Sequence, residues 1–378
     1  MRVKICNLIL TDACNLNCVY CYERRKSSRR MTFATASQII EREFAAVAKS
    51  EEFDSLRVEF FGGEPFLEFE LMRQIVEWTT SAPRPVPYSF FATTNGTLLT
   101  PAIKEWLDAH IELVNVGLSY DGSPEMQNVN RSNSAKDIDL DFFLSRYPGQ
   151  TIKMTVSKQT LGSFAEGVEF LTERGFQVNP SCACGEDWDD RDYDEFRRQL
   201  ARLGKFFLER PELKPIDLLN VPFYRLLEPK TTRPWCGAGV GFVAYDAEGR
   251  EFPCHLFAPV VLASDKSLSK EEFQRRLKTP DPRCARCLAF NVCPVCVGYN
   301  YGTSGDLTRQ ERATCELFQR RCQVSAWFKT QRFKRKKEAG EAFSVDEIDD
   351  MRGALLYYKN CDRLGFTIND ETEEKDHV

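Results

Sequence analysis

The chain is expected to be an α/β protein: a partial, open (β/α)6 barrel followed by a small cysteine-rich domain held together by metal clusters. Three observations predict this. Over the first half, short β-branched and aromatic runs alternate with longer helical patterns. That alternation breaks at a run of prolines, Pro211, Pro215, Pro222, Pro229 and Pro234. Beyond it cysteine and glycine replace apolar periodicity, as where metal rather than a hydrophobic core carries the fold.

Strands are predicted at Val3 to Leu10, Leu56 to Phe61, Tyr88 to Thr93, Leu113 to Ser119, Ile152 to Ser157 and Phe176 to Ser181. Helical patterns follow at Thr35 to Lys49, Leu67 to Thr80, Pro101 to His110 and Phe164 to Arg174. A repeated strand-helix unit gives parallel strands, and residues that act should sit just after the strands' C-terminal ends. The expected division is a barrel over 1–190, a helical bridge over 191–234, a cysteine-rich domain over 235–323, and a helical segment with a polar tail over 324–378. The last residues, Glu371 to Asp376, are expected to fray.

Of the 378 residues 42% are hydrophobic and 28% charged, which suits a globular chain with a sizeable core. A formal charge of -5 argues against a nonspecific nucleic-acid binder, and the basic run Arg24-Arg25-Lys26 reads first as a solvated face. No apolar run approaches the ~20 residues of a membrane helix, and Met1 to Ile5 lack a signal peptide's apolar block, so a cytoplasmic protein is expected. Fifteen cysteines in a reducing compartment then point to metal ligation rather than disulfides.

The first cysteine group is Cys14-x-x-x-Cys18-x-x-Cys21, directly after the first strand. Three thiolates in one loop can hold three irons of a four-iron cluster and leave the fourth without a protein ligand. Zinc would want four ligands, and no fourth Cys or His lies nearby. Gly62-Gly63-Glu64-Pro65 follows the second strand, Thr93-Thr94-Asn95-Gly96 the third and Ser119-Tyr120-Asp121-Gly122 the fourth. With this triplet and these strand ends, the sequence resembles the radical S-adenosylmethionine (radical SAM) superfamily. The resemblance implies that Tyr20 packs on the adenine and that Gly62, Gly63 and Glu64 hold the methionine amino group. It also implies that Asn95, Ser119 and Arg131 line the cofactor pocket.

The second group begins with Cys236, twelve residues, Gly249, four residues and Cys254, and continues with Cys284-x-x-Cys287, Cys293-x-x-Cys296 and Cys315. This order resembles the SPASM extension of peptide- and protein-modifying radical SAM enzymes. It implies two auxiliary four-iron clusters, one on Cys284, Cys287, Cys293 and Cys315 and an earlier one on Cys236, Cys254 and Cys296. Only two residues separate Cys293 from Cys296, where the family usually has three. The earlier cluster lacks an evident fourth ligand: Cys182 or Cys184 would supply it, or its iron is open to substrate. Paired zinc sites are the competing reading of the Cys-x-x-Cys units. Cys6 and Cys361 read as small buried side chains.

The resemblance thus implies three 4Fe-4S clusters and S-adenosyl-L-methionine, and an oxidoreductase that modifies a ribosomally made peptide through a thioether or carbon-carbon crosslink. An alternative is formylglycine formation on a protein, as in sulfatase maturases. Those enzymes place an acidic residue after the second cysteine of the domain, where this chain has His255, a base or a structural side chain. An electron donor such as flavodoxin or ferredoxin is expected as a partner, with peptide recognition by a separate protein or by the barrel mouth. From other classes, an iron-sulfur electron-transfer protein and a zinc-stabilised binding module compete. Neither accounts for Gly62-Gly63-Glu64 beside an open-iron triplet.

Overall fold

The computed structural model describes residues 2–230, 236–262, 268, 270–277 and 281–361. Six parallel strands alternate with helices: β1 (Val3–Thr11), α1 (Phe33–Ala48), β2 (Ser55–Gly62), α2 (Phe69–Thr80), β3 (Tyr88–Thr94), α3 (Pro101–Ala109) and β4 (Val114–Leu118). Two short helices, α4 (Pro124–Asn130) and α5 (Leu140–Arg146), precede β5 (Thr151–Val156), α6 (Phe164–Glu173) and β6 (Gln177–Cys182). Both short helices fall where the sequence reading placed none. Each is capped by its preceding residue, Ser123 accepting from Met126 N and Asp139 from Phe142 N.

The main sheet has the order β4-β3-β2-β1-β7-β8, and β5 pairs with β6. Ser119 joins the two sets through a parallel bridge to Lys153, with Tyr120 N–H donating to Lys153 O at 3.0 Å. Strands β7 (Phe242–Tyr245) and β8 (Glu251–Phe252) come from the cysteine-rich region, and β7 pairs in parallel with β1, Ile5 opposite Phe242. The sequence reading placed no strand in this region.

Strand alternation sorts the barrel's two faces. Leu8, Leu10, Val58, Phe60, Phe90, Ala92, Val116, Met154 and Val156 are buried. They meet helical faces such as Ala36, Ile39, Ile40, Phe44 and Val47 of α1, and each large side chain contributes about 1.5–3 kcal/mol of burial. Asn7, Glu59 and Phe91 alternate with these residues and lie opposite one another in register, so they line the inner face. Cys6 is fully buried on β1, as expected of a small apolar side chain; the side chain of Cys361 and the tail beyond it lie outside the described residues.

The chain forms two compact units. One comprises Met1–Glu186, Trp235–Thr279 and Val295–Arg309; the other comprises Asp187–Pro234, Pro280–Pro294 and Gln310–Val378. Residues 235–323 are therefore shared between units. The first unit also holds α8 (Lys270–Leu277) and α10 (Val297–Ser304); the second holds α7 (Asp190–Glu209), α9 (Pro282–Ala285), α11 (Arg312–Glu338) and α12 (Val345–Cys361).

Candidate active site

The C-terminal end of β1 runs directly into the loop carrying Cys14, Cys18 and Cys21, all half-buried. Thr11 turns this loop, its hydroxyl accepting from Ala13 N at 3.1 Å. Leu16 N donates to Cys14 Sγ at 3.4 Å, and Cys21 N to Cys18 O at 3.1 Å. Burial pushes the Cys18 thiol up to about 11, with the Arg131 guanidinium pulling the other way.

Gly62 and Gly63 are required by this loop. A Cβ on Gly62, whose φ is +136°, would stand 2.2 Å from Thr11 O, and one on Gly63 would stand 2.2 Å from Ala13 O. Their amides complete the contact: Gly63 N donates to Thr11 O and Glu64 N to Ala13 O, each at 2.9 Å. The glycines thus lock the end of β2 to the cysteine loop, a need the sequence reading did not include.

Glu64 is buried beneath them. Its carboxylate accepts from Thr94 Oγ1 at 2.8 Å, Asn95 N at 2.8 Å and Phe66 N at 3.1 Å, and burial raises it to about 7 against these hydrogen bonds. Asn95 in turn donates to Asn15 Oδ1 at 2.9 Å, tying the end of β3 to the cysteine loop.

Asp121, to which the sequence reading gave no role of its own, organises the opposite wall. Fully buried, it accepts from Tyr20 Oη at 2.5 Å, Asn130 Nδ2 at 3.1 Å, Thr155 N at 2.7 Å and Arg131 Nη2 at 3.1 Å. Arg131 lies 5.5 Å from the centre of the Tyr20 ring, and its pKa rises because Asp121 and Tyr20 outweigh the cost of burial. Tyr20, Arg131 and the cysteine loop are thereby fixed by one carboxylate.

These segments surround a cavity of about 380 Å³. Its walls include Cys14, Cys18, Cys21, Tyr20, Gly62, Gly63, Glu64, Asn95, Ser119 and Arg131, so the expected N-terminal cofactor residues converge on one space. The cavity is also lined by Lys153, Thr155, Asn179 and Ser181, which the sequence reading passed over. Their signal was legible: on β5 and β6 these polar residues alternate with Ile152, Met154, Val156 and Val178.

The second cysteine group separates into two sets. Cys236, Cys254 and Cys296 all lie in the first unit, and the Cys254 thiol, raised to about 12 by burial, feels both of the others. Cys284, Cys287, Cys293 and Cys315 lie in the second unit. The chain passes between units at Pro294 and Val295, so Cys293 and Cys296 belong to different sets despite their short spacing. Gly185 N donates to Tyr299 Oη at 3.1 Å, which ties the loop carrying Cys182 and Cys184 to the helix that begins after Cys296. Among the described residues no three Cys, His, Asp or Glu side chains converge as ligands of a single metal ion would.

His255 sits 4.5 Å from the Phe61 ring, with Tyr22 and Phe242 beyond. Among the described residues its Nδ1 has no hydrogen-bond partner, and burial, then Lys153, lowers its pKa to about 4.

Residues 8–199, half of the chain, match the family model of the radical SAM superfamily. The chain belongs to the radical SAM superfamily. Membership implies a 4Fe-4S cluster and S-adenosylmethionine at the barrel mouth, and the donors present fit: three thiols in one loop, a glycine-lined strand end and a cavity between them. An uncharacterised protein of Methanocaldococcus jannaschii is 34% identical over 224 residues, covering 56% of this chain and 75% of its own. The AdoMet-dependent heme synthase of Methanosarcina barkeri is 25% identical over 80% of this radical SAM chain and 93% of its own. Among solved structures, native anSMEcpe with bound AdoMet and Kp18Cys peptide has a TM-score of 0.64 at 18% identity, covering 89% of this chain and 98% of that one. Streptococcus suis SuiB bound to precursor peptide SuiA has a TM-score of 0.52 at 14% identity, covering 82% and 75%. At these identities the structural likeness speaks for the fold. Among the described residues no helix is long and apolar enough to cross a membrane.

Proposed function

We propose that this radical SAM protein carries three 4Fe-4S clusters and oxidatively modifies a ribosomally made peptide, forming a thioether or carbon-carbon crosslink. The observation that carries the reading is that Cys14, Cys18 and Cys21 line the cofactor cavity, while Cys236, Cys254 and Cys296 fall in the same unit and Cys284, Cys287, Cys293 and Cys315 in the other. A peptide substrate is supported by the anSMEcpe and SuiB structures, each of which has a peptide bound. Formylglycine formation remains the second reading because anSMEcpe shares the fold over most of the chain.

When bound, the cofactors supply reductive cleavage of S-adenosylmethionine to a 5′-deoxyadenosyl radical and a route for the electron released as product forms. The chain does the rest. Asp121 fixes Tyr20 and Arg131 on one wall of the cofactor cavity, and Glu64 locks the ends of β2 and β3 on another. His255, with its unpartnered Nδ1, is the side chain assigned to take the proton that leaves the substrate.

Anaerobic reconstitution tests the reading. The protein should hold about twelve irons and release 5′-deoxyadenosine with S-adenosylmethionine and a reductant such as flavodoxin or ferredoxin. A His255→Phe variant, which keeps the ring packing, should release 5′-deoxyadenosine yet yield ~100-fold less modified peptide by mass spectrometry. Stoichiometric zinc with about four irons would falsify the three-cluster reading.

A further inference from the structure

The inner face of the barrel carries charge from β2 and β5. Lys153 lines the cavity from β5, opposite Asn179 of β6. Its ammonium carries three donors, yet it makes one long hydrogen bond, to Thr93 Oγ1 at 3.3 Å. Glu59 faces it electrostatically from β2, but the pair is not in ion-pair contact, and Glu59 instead accepts from Asn7 Nδ2 at 3.5 Å. Desolvation lowers the Lys153 pKa and raises that of Glu59, and the charge of each works against the shift of the other.

The other two cations of this cavity are committed. Arg131 pairs with Asp121, Nε to Oδ2 at 3.0 Å, and Lys26 donates to Leu16 O at 2.8 Å. Among the described residues lining the cavity, Lys153 is the basic group whose one hydrogen bond is long, and its backbone is bridged to Ser119.

We propose that Lys153 is a substrate-positioning group that holds a carboxylate of the peptide inside the barrel lumen. The assignment rests on the lumen being the peptide-modifying site proposed above. It narrows the substrate to peptides that present an acidic side chain, or their own C-terminal carboxylate, close to the reacting residue. An exposed ammonium on the cavity wall with one long hydrogen bond is open to a charge-assisted bond with a carboxylate that enters the lumen. Glu59 sets the selectivity, because its charge weakens the site for anions that do not approach the ammonium directly.

The test uses reconstituted holoenzyme with S-adenosylmethionine bound and its lysines reductively methylated with carbon-13, which preserves their charge. The Lys153 resonance is assigned by its loss in Lys153→Arg. N-acetylglutamate α-amide probes a side-chain carboxylate, N-acetylglycine a chain end, and N-acetylglutamine α-amide is the uncharged control. The expected result is a saturable shift with at least one carboxylate probe and none with the control; which probe acts identifies the source. Glu59→Gln should tighten the effective probe severalfold. A Lys153 resonance unmoved by both carboxylates, or moved equally by the glutamine probe, overturns the proposal. Because the readout is binding alone, low iron or absent 5′-deoxyadenosine would sink the peptide-modification reading and leave this result standing.

Discussion

The cysteine triplet of the first unit and Cys287 and Cys293 of the second are held in different ways. In the first, Cys14, Cys18 and Cys21 sit on a loop attached to a barrel whose strands and helices have their own apolar core. In the second, Cys293 is itself a core residue, packed with Val221, Phe223, Phe318, Cys322 and Tyr357, and Cys287 lies against the same cluster. Gln319 joins them, accepting from Tyr357 Oη at 2.7 Å and donating to Cys287 Sγ at 3.8 Å. Metal added to the first arrangement completes a site; metal added to the second completes a core.

The largest expected effect tests the first half of that contrast. Replacing Cys14, Cys18 and Cys21 together by Ala should reduce 5′-deoxyadenosine to background and remove about four irons, while the melting temperature of the metal-free protein stays within a few degrees of wild type. A collapse of stability would show that the barrel depends on its cluster loop.

Cys293→Ala probes the second half. It should remove about four irons and lower the melting temperature by ~2–4 °C for each kcal/mol by which the core is weakened, with early proteolysis within 280–361. Cys236→Ala, at an exposed position of the first unit, should cost iron without that drop in stability. Equal destabilisation by both would erase the distinction between the units.

Asp121→Asn sharpens the account of the cofactor wall. It leaves the buried Arg131 guanidinium without its counter-charge, so S-adenosylmethionine affinity should fall by roughly tenfold or more, as about 1.4 kcal/mol per decade requires. Equilibrium dialysis measures it.

The smallest effect concerns Glu64. Its folded-state pKa of about 7 lies above the ordinary 4.5, so the protonated form is favoured on folding. Stability from this group is complete below about pH 4.5 and is lost as pH rises through about 7. The melting temperature of Glu64→Gln, compared with wild type across that window, should lack this component of the decline; parallel curves would show that Glu64 is not held up by burial.

The strand-helix alternation was legible because strand faces and helix faces repeat with different periods, and each predicted strand lies within a residue or two of its observed place. The cysteine triplet and glycine pair were legible because few chemistries tolerate those residue types at that spacing. What escaped depended on distant partners. The role of Asp121 has no local mark, because it depends on Tyr20, Arg131, Asn130 and Thr155 converging on it. Strands β7 and β8 are short, and their place is set by the β1 edge rather than by local propensity. The division of the cysteine-rich segment at Pro294 has no local signature at all.

The pairing of β1 with β7 has a consequence for biosynthesis. Ile5 emerges from the ribosome early, but its neighbour Phe242 and the Gly241 carbonyl that receives its N–H are made only after the whole barrel has been translated. Until then the edge of β1 presents unpaired amides and carbonyls beside the completed β2 pairing, a template on which another nascent chain can add a strand. The order of synthesis therefore leaves this edge of β1 open until residue 245 has been made.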